Sequence, residues 1–232
     1  MIPTWSYVKS KDGLYVNMFV GSRIHVGQVA GTNVEVVQKT DYPWHGAVSI
    51  TVNPEEVRTF TLFVRIPNRK TSKLYEESPR VGGVVRFAVN GEVQTPVIRK
   101  GYAVVTREWK AGDRVELELP MEPQRVVADE RNKADTGLAA LQFGPLIYNV
   151  EDADNTKIDR KLSDAPLHAE WRPDLLDGVV TISGSWQDGS PMLAIPNFTR
   201  VNRVGPPPGY PDEREPDHMP NFKYTIDSKV WI

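Results

Sequence analysis

The segment Arg114-Val115-Glu116-Leu117-Glu118-Leu119 alternates between apolar and charged side chains along its whole length. Successive side chains of a β-strand point to opposite faces, so a period of two places Val115, Leu117 and Leu119 on one face and the charged side chains in water. The segment therefore predicts a strand that is buried on one side only.

Further strands are predicted where β-branched and aromatic residues cluster between turn residues. Residues 59–66 form a candidate central strand that ends at Pro67, which cannot donate to a sheet ladder. Asn90-Gly91 suits a type I′ turn and separates two strand candidates. The remaining predicted strands cover residues 14–20, 32–39, 47–52, 84–89, 92–98, 102–108, 138–143, 146–150, 179–185, 192–195 and 229–232.

The whole pattern is typical of an all-β protein. Short strands recur at spacings of roughly 8–12 residues, and no apolar stripe with a helical period extends beyond two turns. We therefore predict two consecutive antiparallel β-sandwich (jelly-roll-like) domains. Residues 1–128 carry 17 basic and 13 acidic side chains, whereas residues 129–232 carry 11 and 17. This difference places one domain at residues 1–128 and the other at 129–232, with a proline-rich insertion at residues 205–220.

The composition excludes several classes of function. The 232 residues contain no cysteine, and 28 Lys+Arg against 30 Asp+Glu give a formal net charge of −2. A near-neutral chain argues against nucleic-acid binding, and no apolar run approaches the roughly 20 residues of a membrane span. The first residues lack the basic segment and apolar run of a signal peptide, and the compartment is left open.

Side chains suited to catalysis are scattered through the chain. The four histidines show no metal-ligand spacing, and no Gly-x-Ser-x-Gly sequence occurs. Without cysteine there is neither a thiolate zinc site nor a cysteine nucleophile. Two carboxylates could still face each other across a cleft, as glycosidases require, but Glu116 and Glu118 are better explained as the wet face of a strand. We predict no catalytic residue and no metal site.

Aromatic residues in a predicted turn are the best candidates for ligand binding. The segment Asp41-Tyr42-Pro43-Trp44-His45-Gly46 brings two rings and an imidazole together. Sugar rings stack on exposed aromatic rings, and loop positions often carry function. Tyr42, Trp44 and His45 are therefore the candidates for carbohydrate contact, against the alternative that Trp44 caps the sandwich core.

Several short phrases occur in a specific order. They are Asp12-Gly13-Leu14-Tyr15-Val16-Asn17-Met18-Phe19-Val20-Gly21-Ser22, Thr40-Asp41-Tyr42-Pro43-Trp44, Val64-Arg65-Ile66-Pro67, Val89-Asn90-Gly91, Gly101-Tyr102-Ala103-Val104, Arg107-Glu108-Trp109-Lys110-Ala111-Gly112-Asp113, Leu119-Pro120-Met121, Ala140-Leu141-Gln142-Phe143-Gly144-Pro145-Leu146-Ile147-Tyr148 and Val230-Trp231-Ile232. In this order they resemble the C-terminal region of glycoside hydrolase family 127, the β-L-arabinofuranosidase-type enzymes. The resemblance covers nearly the whole chain and departs at the insertion that follows Asn202-Arg203.

This resemblance implies an enzyme with an N-terminal (α/α)6 barrel that holds the active site, followed by two β-sandwich domains. It also implies a retaining mechanism with a cysteine nucleophile beside a zinc ion bound by Cys and Glu in that barrel. No position of this chain matches those residues. We therefore expect no cofactor in this chain, and zinc only in the barrel, which the chain lacks.

The sequence supports three hypotheses for the function of the chain. The first is a non-catalytic accessory region that supports the barrel through Ile2, Trp5 and Tyr7, so that the chain alone is not an enzyme. The second is an independent carbohydrate-binding module for plant-type arabinose-containing glycans. A weaker alternative is a glycosidase that uses carboxylates within a sandwich. Homo-oligomerisation is left open.

Overall fold

A computed structural model describes residues 3–67, 73–200 and 230–231 of the chain. Strands dominate these residues, and the prediction of an all-β fold is confirmed. None of the described helices is long and apolar enough to cross a membrane. The docking candidate Ile2 and the insertion at 205–220 lie outside the described residues.

The described elements are short. The helices are α1 (Pro3–Ser6) and two 3₁₀ turns, Lys133–Asp135 and Asn197–Thr199. The strands are β1 (Tyr7–Lys9), β2 (Gly13–Val16), β3 (Ser22–Val29), β4 (Thr32–Thr40), β5 (Ala47–Pro54), β6 (Arg58–Arg65), β7 (Tyr75–Ser78), β8 (Arg86–Val89), β9 (Glu92–Val93), β10 (Val97–Arg99), β11 (Tyr102–Trp109), β12 (Asp113–Glu118), β13 (Pro123–Ala128), β14 (Leu138–Phe143), β15 (Leu146–Val150), β16 (His168–Arg172), β17 (Val179–Ser185), β18 (Pro191–Pro196) and β19 (Val230–Trp231).

The chain divides into two compact units. The first comprises Met1–Thr71 and Arg80–Glu122, and the second comprises Ser72–Pro79 and Pro123–Ile232. The sequence placed a boundary after Ala128, six residues later than the division between Glu122 and Pro123. The reason is that β13 pairs with β14 on one side and with β7 on the other, so it is a strand of the second unit.

The first unit is a sandwich of two sheets. Sheet A has the strand order β1-β2-β6-β11-β10, and sheet B has the order β3-β4-β5-β12-β8-β9. The pairing differs from the antiparallel prediction at one place, because β2 runs parallel to β6. The predicted turn at Asn90-Gly91 is confirmed between β8 and β9, where both residues have positive φ, 52° and 85°.

The inward faces of sheets A and B share one apolar core. Leu62 and Val64 of β6 and Ile50 of β5 are fully excluded from water. Trp109 is also fully buried, with its ring stacked on Phe60 at 5.7 Å between centroids. Its Nε1–H donates to the Phe60 carbonyl at 3.0 Å. A buried indole N–H needs an acceptor, so this bond allows the largest ring to enter the core.

The second unit contains one large sheet in the described part of the chain. Its order is β16-β17-β18-β15-β14-β13-β7, and β19 pairs with β14. The irregular segment between β15 and β16 is anchored by Asn155, which is buried. Its amide donates to the carbonyls of Glu151 at 2.7 Å and Leu193 at 2.9 Å, and its Oδ1 accepts from the Leu193 N–H at 2.9 Å.

Replacing Trp109 by alanine should lower the free energy of unfolding of the first unit by about 3–5 kcal/mol, because it empties the centre of the core. Urea unfolding followed by circular dichroism measures the change. Trp5→Ala is the matched control: Trp5 is 69% exposed, so its loss should cost at most about 0.5 kcal/mol. Equal unfolding midpoints for the Trp109→Ala variant and the unsubstituted chain would contradict this account of the core.

Candidate functional site

A cavity of about 480 Å³ opens on the outward side of sheet B, beside the turn that joins β4 to β5. Cavities that bind small molecules in proteins measure roughly 300–1,000 Å³, so this one is large enough for a small ligand. Its lining residues are Lys39, Thr40, Asp41, His45, Ala47, Val48, Ser49, Arg86, Glu116, Leu117 and Glu118.

Cross-strand register brings charges of both signs to this cavity. Lys39 and Glu116 flank Ser49 in one row, and Arg86 lies opposite Glu118 in the next. Donors and acceptors therefore alternate along its walls, which suits a ligand rich in hydroxyl groups, since a hydroxyl both donates and accepts. Sequence reasoning missed Lys39 and Arg86 because alternation shows which face a residue occupies but not which strand lies beside it.

Backbone hydrogen bonds shape the turn beside the cavity. The Asp41 carbonyl accepts from the N–H groups of Trp44 at 2.8 Å and His45 at 3.2 Å. The Thr40 hydroxyl donates to the Ala47 carbonyl at 2.7 Å and accepts from the Tyr42 N–H at 3.0 Å. These bonds hold the turn closed with His45 exposed and lining the cavity.

The turn separates the three carbohydrate-contact candidates. Tyr42 is partly buried and packs against the sandwich core, edge-on to Phe19 with ring centroids 5.9 Å apart. Trp44 is also partly buried, and neither ring is among the lining residues of the cavity. Of the three, His45 lines it. The role of these residues in carbohydrate contact stays a prediction. Packing against the core, the alternative considered for Trp44, is observed for Tyr42.

The two described docking candidates, Trp5 and Tyr7, differ in exposure to solvent. Trp5 is 69% exposed, whereas Tyr7 is only 8% exposed and lies in the core. The Tyr7 hydroxyl lies 2.9 Å from the Ser22 hydroxyl and accepts from Nε2 of Gln38 at 2.5 Å. Tyr7 therefore corrects the expectation: residue 7 faces inward on β1, and the alternation of the strand turns Val8, 49% exposed, outward instead.

The side chains of Glu116 and Glu118 in this cavity lack the geometry of a glycosidase pair. Glu116 and Glu118 lie two residues apart on β12, so both project from one wall with Cα atoms about 7 Å apart. A glycosidase places its carboxylates on opposite sides of the bond that it cleaves. Glu116 is in addition 3.8 Å from the guanidinium of Arg114.

A second, smaller cavity of about 300 Å³ lies beside Glu35 on the same sheet. Nδ2 of Asn53 and the Arg23 guanidinium each donate to the Glu35 carboxylate at 3.0 Å. The Asn53 hydrogen bond, supported by Arg23, holds the pKa of Glu35 below its ordinary value, although partial burial acts in the opposite direction. A carboxylate stabilised in its charged form suits an ion pair rather than a proton donor.

The zinc site that the resemblance implies does not fit this chain. Its full sequence has no cysteine. Among the described residues, no group of three His, Asp or Glu side chains could hold a metal ion.

Two family models match the chain in succession. Residues 13–121 match the middle domain of family 127 β-L-arabinofuranosidases. Residues 123–206 match the C-terminal domain of glycoside hydrolase family 127.

Individual relatives agree with these models. A non-reducing end β-L-arabinofuranosidase of Bifidobacterium longum subsp. longum is 28% identical over 163 residues, which is 65% of this chain and 23% of that protein. A solved family 127 β-L-arabinofuranosidase from Geobacillus stearothermophilus T6 is 34% identical, with a TM-score of 0.75 over 87% of this chain and 34% of that chain. A second solved family 127 β-arabinofuranosidase is 26% identical, with a TM-score of 0.79 over 87% of this chain and 35% of that one. The chain thus spans about a quarter to a third of the length of these relatives.

Replacing Gly46 by alanine should destabilise the first unit by about 1–3 kcal/mol, as overpacking does. A Cβ at this position would lie 2.0 Å from the Leu119 carbonyl oxygen, so the turn would have to move away from β12. Thermal unfolding followed by circular dichroism measures the loss. Gly82→Ala is the matched control, since a Cβ there meets nothing within 4 Å. Equal melting temperatures for the two variants would sink this explanation of Gly46.

Proposed function

The chain belongs to glycoside hydrolase family 127, and we propose that it is a non-catalytic region that supports the catalytic domain of a β-L-arabinofuranosidase-type enzyme. The match to the family's middle and C-terminal domains carries this proposal. In family 127 proteins these domains accompany a catalytic domain, and the chain spans 34% of the solved Geobacillus enzyme. Its partner in the proposal is that catalytic domain, expected to be an (α/α)6 barrel.

The residues of the chain support a proposal in which the catalytic residues belong to another domain. Without a cysteine, the chain has no residue that could serve as the implied nucleophile. Two acidic residues that line the larger cavity, Glu116 and Glu118, share one strand instead of facing each other. In this proposal the cysteine nucleophile and the zinc ion both belong to the catalytic domain, and the chain contributes its two folded units.

The purified chain should show no turnover of a chromogenic β-L-arabinofuranoside above a heat-inactivated sample of the same protein. The Geobacillus enzyme at equal molar concentration is the positive control, which shows that the substrate can be hydrolysed under the assay conditions. Turnover by the chain that survives repeated purification would overturn the proposal and make the chain an enzyme in its own right.

A second candidate function is carbohydrate binding at the cavity beside His45. Its volume of about 480 Å³ and its mixed charged lining favour a small polyhydroxylated ligand. Arabinose-containing oligosaccharides are the first ligands to test. This candidate is compatible with the first, because an accessory region could also hold a glycan.

Isothermal titration with arabino-oligosaccharides should give saturable binding that His45→Ala and Arg86→Ala each weaken about tenfold, the effect of about 1.4 kcal/mol. His25→Ala is the matched control, since the His25 side chain is 82% exposed and outside this cavity. No saturable heat at millimolar sugar would eliminate the second candidate and leave the first intact.

A further inference from the structure

The outward faces of sheets A and B differ sharply in polarity. On sheet B, β12 turns Arg114, Glu116 and Glu118 outward while its valine and leucine side chains fill the core. On sheet A, β6 buries Leu62 and Val64 and also turns the ring of Phe63 outward. An aromatic ring on an outward face informs about interactions only where other apolar residues continue it.

The apolar outward residues of sheet A lie in one row. Cα register pairs Val8 with Tyr15, Tyr15 with Phe63, Phe63 with Val104 and Val104 with Val97. We call these five residues the sheet A stripe. Neighbouring strands lie about 4.8 Å apart, so the stripe is about 19 Å long and crosses all five strands.

The sheet A stripe is open to solvent at both ends. Val8 is 49% exposed and Val97 is 58% exposed, whereas the three central residues are partly buried against one another. A continuous apolar surface is unusual on a soluble protein and marks an interaction site, whereas isolated exposed apolar residues are ordinary.

The rings of the stripe are packed in a way that disfavours a sugar as the occupant. Tyr15 and Phe63 are stacked face to face, with centroids 4.2 Å apart and planes within 4° of parallel. Tyr102 meets Tyr15 edge-on at 5.6 Å. A sugar stacks on an exposed ring face, but Tyr15 and Phe63 each have one face covered by the other ring. The stripe is made of aromatic rings and valine methyl groups, which suits apolar protein side chains.

The row beside the stripe adds positive charge. Tyr102 pairs across the sheet with Arg65 on one side and Arg99 on the other, and both arginines are exposed. The Arg65 guanidinium lies over the Tyr102 ring at 5.4 Å from its centroid. Acidic side chains at the edge of a partner would therefore be drawn to this side of the stripe.

The edge of the stripe is built by residues that precede the matched middle domain. The family model begins at residue 13, whereas Val8 lies on β1 (Tyr7–Lys9). The same upstream segment is tied to the row beside the stripe by Asn17, which accepts from the Tyr102 hydroxyl at 2.8 Å and donates to the Trp5 carbonyl at 3.1 Å. A domain named middle implies another domain before it in the family's proteins, which puts the proposed catalytic domain next to this segment in sequence.

We propose that the sheet A stripe is the docking surface for the catalytic domain of a family 127 enzyme. This inference rests on the proposed function. It places the docking surface on the sheet A stripe, whereas the sequence predicted it at Ile2, Trp5 and Tyr7. About two thirds of the Geobacillus relative lies outside the part that matches this chain, so a partner of sufficient size exists in the family. Contacts between domains of one chain commonly bury about 600–1,500 Å².

The test is a chimera in which this chain replaces the matching part of the Geobacillus enzyme. The Val8→Lys/Val97→Lys variant places two charges at the ends of the stripe. It should lose at least tenfold in β-L-arabinofuranosidase activity and melt at a lower temperature than the unsubstituted chimera. Val57→Lys/Val85→Lys is the matched control, because these valines are 51% and 69% exposed and lie outside the stripe. It should stay within twofold of the unsubstituted chimera.

The outcomes separate the two proposals. Activity within twofold for the Val8→Lys/Val97→Lys chimera overturns the docking surface and leaves the proposed function standing. An inactive unsubstituted chimera counts against the proposed function and removes the docking proposal with it. Both double variants should melt within a few degrees of the unsubstituted chain when tested as isolated chains, so that a loss in the chimera reports docking. A different result would assign the stripe to a second copy of this chain. In that case the isolated chain forms dimers, Val8→Lys/Val97→Lys abolishes them, and the chimera with the same substitutions keeps full activity.

Discussion

The structure of the first unit depends on a single constraint: each strand has two faces, and only one of them can fill the core. Trp109 and Phe60 occupy the centre of that core, and their stacked rings are completed by the hydrogen bond from the indole to the Phe60 carbonyl. Once the inward positions are assigned to the core, the outward positions are free of packing requirements. Their chemistry is then the best guide to function, because the fold does not dictate it.

This freedom is used differently on the two sheets. The outward face of sheet B carries paired charges around two cavities, such as Glu118 opposite Arg86 and Glu35 beside Arg23. The outward face of sheet A instead carries Phe63 and Tyr15 in contact with each other. A soluble sandwich gains nothing from exposing such rings, whereas a sandwich that is covered on this side buries them. The contrast between the two outward faces supports a covered sheet A more strongly than either face alone, since both sheets belong to one unit in the same solvent.

Sequence alternation predicts a strand well but its neighbours poorly. The pattern at residues 114–119 gives the correct inward face of β12, and Asn90-Gly91 gives the correct turn. The predicted strand at residues 92–98 divides into β9 of sheet B and β10 of sheet A, because Pro96 lies between them and cannot donate to a ladder. The inward position of Tyr7 is not predicted, because the buried partner of its hydroxyl is Gln38 of β4, which is distant in sequence. The cavity is missed for the same reason, since Lys39 and Arg86 are brought to it only by the register of strands distant in sequence.

The strand β7 has a consequence for how the two family domains can be separated. Residues 13–121 match the middle domain, yet Tyr75–Ser78 within that range pair with β13 of the second unit. A cut between residues 122 and 123 would therefore remove β7 from the second sheet and leave β13 as an unprotected edge. Unpaired edges expose backbone donors and acceptors and promote aggregation. The two matched domains are thus consecutive in sequence, but the second unit contains β7 from the range of the middle domain and is incomplete without it.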